Sequence, residues 1–189
     1  VLILDPTMVS PNDEISCTVE VMDTLGESDS QGLTYIVDNR APTITDLVFS
    51  PEELKMNSTI TCAQSSSDTD QESLSITYEW MNLSTGTIIG SSETLALDFS
   101  MGTGGDEVSC TVTAVDTMGA SDSMSITQNI SRTKPEFDIP AEISPESINT
   151  NTLLSCSGQA TDPDGTSVTL SYEWKNLSPS TILGSTQTL

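Results

Sequence analysis

The stretch Asp106-Glu107-Val108-Ser109-Cys110-Thr111-Val112-Thr113-Ala114 decides the fold, because polar and apolar residues alternate one by one from its second residue onward. A period of two residues is typical of an antiparallel strand with one buried and one exposed face. The same alternation occurs in Ile76-Thr77-Tyr78-Glu79-Trp80, in Ile60-Thr61-Cys62 and in Leu95-Ala96-Leu97. Turn-forming runs such as Asp116-Thr117-Met118-Gly119 separate these segments. The spacing predicts an all-β fold with seven or so short strands, an antiparallel β-sandwich.

The same stretch has a copy earlier in the chain. Asp13-Glu14-Ile15-Ser16-Cys17-Thr18-Val19 precedes it by 93 residues, and Asp23-Thr24-Leu25-Gly26 precedes Asp116-Thr117-Met118-Gly119 by the same distance. Tyr78-Glu79-Trp80 returns 94 residues later as Tyr172-Glu173-Trp174. A period of 93–94 residues is too long for a solenoid unit and is typical of a tandem array of small domains.

The repeat divides the chain into three parts. Residues 1–40 match the C-terminal part of one repeat, 41–134 form a complete repeat, and 135–189 match the N-terminal part of the next. Two interpretations fit this division. The chain is a window on a longer tandem polypeptide, which we favour, or separate subunits complete each other head to tail, in the manner of strand complementation.

Two cysteines and a tryptophan make the fold prediction more specific. Cys62, Trp80 and Cys110 follow one another as in the immunoglobulin pattern, with Cys on strands B and F and Trp on strand C. Val108 stands where that family has the Tyr of its tyrosine corner. The phrases Asp162-Pro163-Asp164-Gly165 and Tyr172-Glu173-Trp174 are similar to those of tandem immunoglobulin-like, PKD-like and cadherin-like modules of large bacterial surface proteins.

The resemblance implies a disulfide framework for the four cysteines. In the register of the repeat it pairs Cys62 with Cys110, and closing that loop contributes about 4 kcal/mol in the chain-entropy model. It also pairs Cys17 with a copy of Cys156 at the junction between units. The alternative is four free buried thiols in a reducing compartment.

Composition excludes several classes of function. The 189 residues contain 28 Asp and Glu, 5 Lys and Arg and no His, a net charge of −23. Five scattered cations cannot form a nucleic-acid footprint, and the charge disfavours an anionic membrane surface. No apolar run reaches the length of a membrane-spanning helix. Without His there is no Ser-His-Asp or Cys-His catalysis and no imidazole metal site, and we expect no enzyme activity and no catalytic residues.

Acidic loops are the candidate ligand sites. Clustered carboxylates suit a hard cation such as calcium. Asp68, Asp70 and Glu72 occupy the same loop of the repeat as Asp162 and Asp164, and Asp116 follows strand F, from where it can approach the loop of its own sandwich. Asp is also a default turn residue, so solvated turns are the alternative and no cofactor is required. The linker Asp38-Asn39-Arg40-Ala41-Pro42 resembles the calcium-stiffened linker of cadherins. Its counterpart Ser131-Arg132-Thr133-Lys134-Pro135 has no acidic residue, so we do not count the linker as part of a site.

Four Asn-x-Ser/Thr sequons, at Asn57, Asn82, Asn129 and Asn176, are candidate glycosylation sites. Asn82 and Asn176 are the stronger pair because they share one position of the repeat. A chain this rich in Ser and Thr also produces such sequons by chance.

The sequence as a whole predicts a structural role. We expect a segment of an extracellular fibre, stalk or surface filament, whose partners are neighbouring copies of the repeat unit joined head to tail. The alternative is an adhesin or carbohydrate-binding repeat that uses calcium and binds a surface or glycan ligand. That alternative requires exposed aromatic residues or a defined cation site. The candidates for exposure are Phe99 and Phe137, whereas the predicted core takes up these aromatic residues of strand C: Trp80, Trp174, Tyr78 and Tyr172.

Overall fold

The computed structural model describes residues 2–178 and 180–189 and contains only β-structure there. Every strand pairing in it is antiparallel. The described residues form these strands: β1 Glu14–Met22, β2 Ser28–Ile36, β3 Thr43–Ser50, β4 Thr59–Ser67, β5 Ser75–Asn82, β6 Thr87–Gly90, β7 Thr94–Ala96, β8 Glu107–Val115, β9 Ser121–Asn129, β10 Glu136–Ser144, β11 Ser155–Thr161, β12 Trp174–Asn176 and β13 Thr181–Gly184. None of the described residues belongs to a helix that could cross a membrane.

Strands β3 to β9 form a β-sandwich, which confirms the predicted fold class. One sheet has the strand order β3-β4-β7 and the other β6-β5-β8-β9. The alternating stretch that opens the sequence is β8, paired with β5 on one side and β9 on the other. Its apolar residues Val108, Cys110, Val112 and Ala114 are all fully buried. The period-two pattern therefore placed the inward face of the central strand correctly.

The core of the sandwich lies between the two sheets. Trp80 is fully buried and stacks on Phe49, with ring centroids 5.5 Å apart. The indole Nε1 of Trp80 donates a hydrogen bond of 2.8 Å to the carbonyl of Ser92, so the ring is buried without an unsatisfied donor. Cys62 on β4 and Cys110 on β8 form a disulfide that joins the sheets. The expected pairing of these two cysteines is therefore present.

The β1–β2 hairpin repeats the geometry of β8–β9 without a covering sheet. Cys17 pairs with Leu33 as Cys110 pairs with Ile126, so both hairpins have the same register. Every residue of β2 is exposed, and so is every residue of β1 except Ile15, which is half-buried. The free thiol of Cys17 is exposed.

The sheets β10–β11 and β12–β13 repeat the first half of the sandwich. Ile143 pairs with Cys156 as Phe49 pairs with Cys62. Trp174 donates a 2.8 Å hydrogen bond from its indole Nε1 to the carbonyl of Thr186, the counterpart of the bond made by Trp80. Cys156 is a half-buried free thiol. One expected strand differs, because Tyr172 lies before β12 rather than inside a strand.

The two flanking parts contact opposite ends of the sandwich. Asn39 binds Asp116, just past the end of β8. Thr133 binds Asp164, which lies against Gly104 shortly before β8 begins: a Cβ built on that glycine would be 2.5 Å from the carboxylate of Asp164. The nine residues of β8 separate these two junctions by roughly 30 Å.

Candidate functional site

Three carboxylates meet at the junction between the β1–β2 hairpin and the sandwich. Asp68 and Glu72 lie in the loop between β4 and β5, and Asp116 follows β8 directly. One oxygen from each of the three lies within 4.8 Å of the others. Calcium ligands lie about 2.3–2.6 Å from the ion, so two oxygens on opposite sides of it are about 4.8 Å apart. The spacing of the three oxygens fits a hard cation.

A tight turn holds Asp116 in place. Its Oδ1 accepts hydrogen bonds from the backbone amides of Met118 (2.9 Å) and Ala120 (2.8 Å). Its Oδ2 accepts one of 2.8 Å from the side-chain amide of Asn39. These donors, the Asn39 amide first, lower the pKa of Asp116 although its burial acts in the opposite direction. The side chain is 6% exposed and carries its charge at neutral pH.

Three other oxygens at this junction are buried and have no hydrogen-bond partner among the described residues. They are Asp68 Oδ2, Glu72 Oε2 and Asn39 Oδ1. The second oxygen of Glu72 accepts a short hydrogen bond from the hydroxyl of Thr117. A buried oxygen without a partner destabilises a fold by about 1–3 kcal/mol, more when it is charged. Carboxylate and amide oxygens that lack donors are the ligands that calcium prefers.

The neighbouring carboxylate of Asp70 has a different partner. Its Oδ2 accepts a 2.8 Å hydrogen bond from the backbone amide of Arg40, and its Oδ1 accepts from Nε (2.9 Å) and Nη2 (2.5 Å) of the same guanidinium. The hydrogen bonds from Arg40 lower the pKa of Asp70, and the pairing raises the pKa of Arg40. Asp70 was expected among the metal ligands, but the structure uses it to fix the linker.

Two more of the expected ligands, Asp162 and Asp164, already accept hydrogen bonds. Asp164 is 4% exposed and accepts hydrogen bonds of 2.6 Å from both the backbone amide and the hydroxyl of Thr133. Asp162 Oδ1 accepts from the amide of Asp164, and its Oδ2 accepts from the hydroxyl of Thr166. In the described residues no third acidic group joins these two. Asp162 and Asp164 therefore hold a turn and a linker through these hydrogen bonds.

Asn39 is the site residue that sequence reasoning missed. The linker was set aside because its counterpart after β9 has no acidic residue, yet its Asn39 reaches the acidic cluster. In the counterpart linker, Arg132 stands at the position of Asn39, and the contact from Thr133 to Asp164 corresponds to the one from Arg40 to Asp70. Asn39 could have been found from its place in Asp38-Asn39-Arg40-Ala41-Pro42, directly before the first strand of the sandwich.

The glycosylation prediction is corrected at Asn82, which is fully buried. Its Nδ2 donates to the carbonyl of Met101 (2.9 Å) and to Asp106 Oδ2 (3.0 Å), while its Oδ1 accepts from the amide of Ser84 (3.0 Å). A glycan cannot be attached to a nitrogen in this position. The three other candidate sites, Asn57, Asn129 and Asn176, are exposed.

Exposed aromatic rings are few. Trp80 and Trp174 are buried, 0% and 8% exposed. Phe99 is 48% exposed, but its ring packs against the backbone of Gly165, where an added Cβ would be 2.6 Å from a ring carbon. Phe137, on β10, is 64% exposed, and Tyr35, on β2, is 73% exposed. The loops around the acidic cluster carry no aromatic residue that a sugar could stack on.

The chain matches no known family, curated protein or solved structure when it is compared with family models, with curated sequences and with solved folds.

Proposed function

We propose that this chain is a structural segment of an extracellular fibre, stalk or surface filament built from disulfide-linked, immunoglobulin-like sandwiches. The observation that carries the proposal is the sandwich β3–β9 with its Cys62–Cys110 disulfide, flanked on both sides by sheets in the same register. Such an array transmits load from one sandwich to the next. A disulfide is typical of oxidising, extracellular compartments, which supports this location.

The linkers support the same role. Arg40 and Asn39 attach the first linker to one end of the sandwich through Asp70 and Asp116, and Thr133 attaches the second linker through Asp164. Linkers fixed by side-chain hydrogen bonds bend less than linkers free in solvent, because each bond must break before the linker can move. The resulting rod keeps its ends at a fixed distance and also carries tension.

The proposal is tested by stretching the full chain between its two ends in an optical trap. The disulfide encloses a loop with a sequence separation of 48 residues. In the oxidised chain, unfolding of the sandwich therefore adds at most roughly 140 Å, the extended length of the sandwich residues outside that loop. Reductant should add up to roughly 170 Å more to the same event. A chain that extends smoothly, without a discrete event, contradicts a load-bearing role.

Cysteine variants provide the controls for the stretching experiment. Cys62→Ala combined with Cys110→Ala should give the long extension without reductant. Cys17→Ser should leave the short extension unchanged, because Cys17 forms no disulfide within the chain. Labelling of intact source cells with an antibody against the folded chain then checks the extracellular location.

A second candidate function, a calcium-dependent binding or stiffening module, is supported by the three unpartnered oxygens of Asn39, Asp68 and Glu72. Together with Asp116 they could hold a calcium ion between the linker and the sandwich. The ion would supply the positive charge that this cluster lacks. It would also add a bond between the two parts of the junction and so stiffen it.

A further inference from the structure

We propose that the exposed face of the β1–β2 sheet binds the β10–β11 face of a second copy of this chain, and that the contact joins Cys17 of one copy to Cys156 of the other. This inference rests on the proposed structural role and names the partner. The N-terminal face is the side of β1–β2 that carries Cys17 and Leu33. The C-terminal face is the side of β10–β11 that carries Ile143 and Cys156.

The N-terminal face is mostly apolar, with Gln31 and Asp29 opposite Val19 and Val21, and it is uncovered. Val19, Val21, Leu33 and Tyr35 are between 62% and 73% exposed. They lie on one side of the sheet because Cys17 pairs with Leu33, Ile15 with Tyr35, and residues two apart on a strand share a face. An open groove of about 460 Å³ runs along this side, lined partly by Ile15, Cys17, Leu33 and Tyr35. A two-stranded hairpin with such a face is only marginally stable alone in water.

The sandwich of the same chain shows what covers such a face. Val112 occupies the position of Val19 in the matching hairpin, and it is fully buried where Val19 is 62% exposed. The cover is the sheet containing β3 and β4, and Cys62 of that sheet bonds to the cysteine of the hairpin. The N-terminal face therefore fits a partner with the chemistry of β3–β4.

The C-terminal face has that chemistry. Ile143 occupies the position of Phe49 and is 57% exposed, whereas Phe49 is 4% exposed. Phe137 is 64% exposed, and its ring lies against Gly158, two residues after Cys156 on β11. Cys156 occupies the position of Cys62 and has a free thiol. The two faces therefore complement each other as the two sheets of the sandwich do.

The two faces of one copy cannot meet each other. Asn39 anchors the first part at the end of β8, and Asp164 lies beside Gly104 near its beginning. The sandwich stands between them over roughly 30 Å. The proposal therefore places the partner face on a second copy, and a head-to-tail contact of this kind repeats from copy to copy, as a ring or an open filament.

The interface is large enough to be specific. Burying one large apolar side chain removes on the order of 100 Å² of apolar surface. Nine exposed side chains occupy positions that face the interior in the sandwich. Six lie on the two faces (Val19, Val21, Leu33, Tyr35, Phe137 and Ile143), and three lie outside them, before β1, after β10 and on β13 (Leu4, Ile148 and Leu183). Their sum, on the order of 1,000 Å², reaches the size of a specific interface. Repulsion between copies of charge −23 opposes the contact, so salt favours assembly.

Formation of the disulfide between Cys17 and Cys156 requires an oxidant, and a small disulfide can serve as one. The Cys17 thiolate of one copy attacks an oxidised low-molecular-weight disulfide such as that of glutathione, and one thiol leaves. The Cys156 thiolate of the second copy then attacks the mixed disulfide and releases the other thiol. One inter-copy S–S bond forms, two protein thiols are oxidised, and the oxidant is reduced to two thiols.

The test uses two variants of the full chain in a glutathione redox buffer at 0.15 M salt. Cys17→Ser keeps only the Cys156 thiol, and Cys156→Ser keeps only the Cys17 thiol. We expect a disulfide-linked dimer only when the two variants are mixed, and a ladder of multiples of 20.1 kDa for the native chain. Disulfide dimers formed by either variant alone, or a native chain that remains monomeric, overturn the proposal.

A face variant tests the contact without changing a cysteine. Leu33→Asp puts a charge on the N-terminal face and should raise the concentration for half-assembly in light scattering by roughly tenfold or more. Its matched control is Thr34→Asp, the same charge one residue later on the opposite face, which should leave assembly unchanged. Equal effects of both variants overturn the proposal. Failure here leaves the stretching test of the sandwich unaffected, so the two proposals fail separately.

Discussion

Asn82 shows at the residue scale how a polar side chain can hold an apolar core together. It is fully buried, and its amide connects the end of β5 to Met101 and Asp106 in the loop that precedes β8. Asn82→Ala leaves the Met101 carbonyl without this donor and the amide of Ser84 without its acceptor. We expect a loss of about 1–3 kcal/mol in the free energy of unfolding. Urea unfolding followed by tryptophan fluorescence measures it.

The control for this variant lies in the same chain. Asn176 has the corresponding position in the β12–β13 sheet, but it is exposed, and its Oδ1 accepts a hydrogen bond from the amide of Ser178. Asn176→Ala should change the free energy of unfolding by less than about 0.5 kcal/mol. Equal losses for both variants would mean that the buried hydrogen bonds of Asn82 contribute nothing specific. A glycan found on Asn82 would contradict its buried position.

The sequence predicted the buried residues of the sandwich core better than it predicted the candidate site residues such as Asn82. Cys62, Trp80 and Cys110 were predicted correctly because burial follows the two-residue period of a strand. Asn82 was misjudged because its sequon is a local pattern, whereas its burial depends on Met101 and Asp106 far along the chain. A local sequence pattern cannot predict a contact with residues about twenty positions away.

At the element scale, the loop between β4 and β5 is where a cation should act. Asp68 and Glu72 each have one buried oxygen without a hydrogen-bond partner, and both carboxylates lie close to that of Asp116. A calcium ion that binds only the folded state stabilises it by about 2.7 kcal/mol at 100 times its dissociation constant. We expect calcium chloride to raise the thermal midpoint above that in sodium chloride of equal ionic strength, and Asp116→Asn to reduce this difference.

A turn in the β1–β2 hairpin supplies the control for the calcium experiment. Asp23 Oδ1 accepts hydrogen bonds from the amides of Leu25 (2.8 Å) and Glu27 (3.0 Å), much as Asp116 accepts from its own turn. No acidic cluster includes Asp23 in the described part of the chain. Asp23→Asn should therefore leave the calcium effect intact. If calcium and sodium act equally at matched ionic strength, the cluster does not bind calcium in preference to sodium.

The elements themselves were predictable, whereas their junctions were not. Alternation gave the strands, and turn residues gave their boundaries, because both depend on neighbours in sequence. Whether each of the six similar carboxylates is free to bind a cation depends instead on the hydrogen-bond donors beside it in the fold. Arg40 donates hydrogen bonds to Asp70, and Thr133 donates to Asp164. Asp68 and Glu72 each have one oxygen without a donor. Sequence spacing grouped all six because it cannot show these partners.

On the scale of the whole molecule, charge opposes folding. The net charge is −23, and the described residues contain two ion pairs, Arg40–Asp70 and Lys55–Glu53. Ion pairs at a protein surface add little to stability, because water and salt screen them and two long side chains lose freedom in forming them. Repulsion among the remaining carboxylates acts over about 30 Å at 0.01 M salt and about 8 Å at 0.15 M. Repulsion therefore outweighs attraction, and screening should favour the compact state.

This balance predicts that sodium chloride raises the thermal midpoint steadily between 0.01 M and 0.5 M. Scanning calorimetry at a protein concentration too low for assembly measures the effect without contribution from contacts between copies. The variant Arg40→Gln removes the Arg40–Asp70 ion pair and leaves the repulsion among the carboxylates. Its thermal midpoint should therefore rise with salt at least as steeply as that of the native chain. A midpoint that falls with salt would mean that the pairing of Arg40 with Asp70 outweighs the repulsion, and that the linkers are held chiefly by charge.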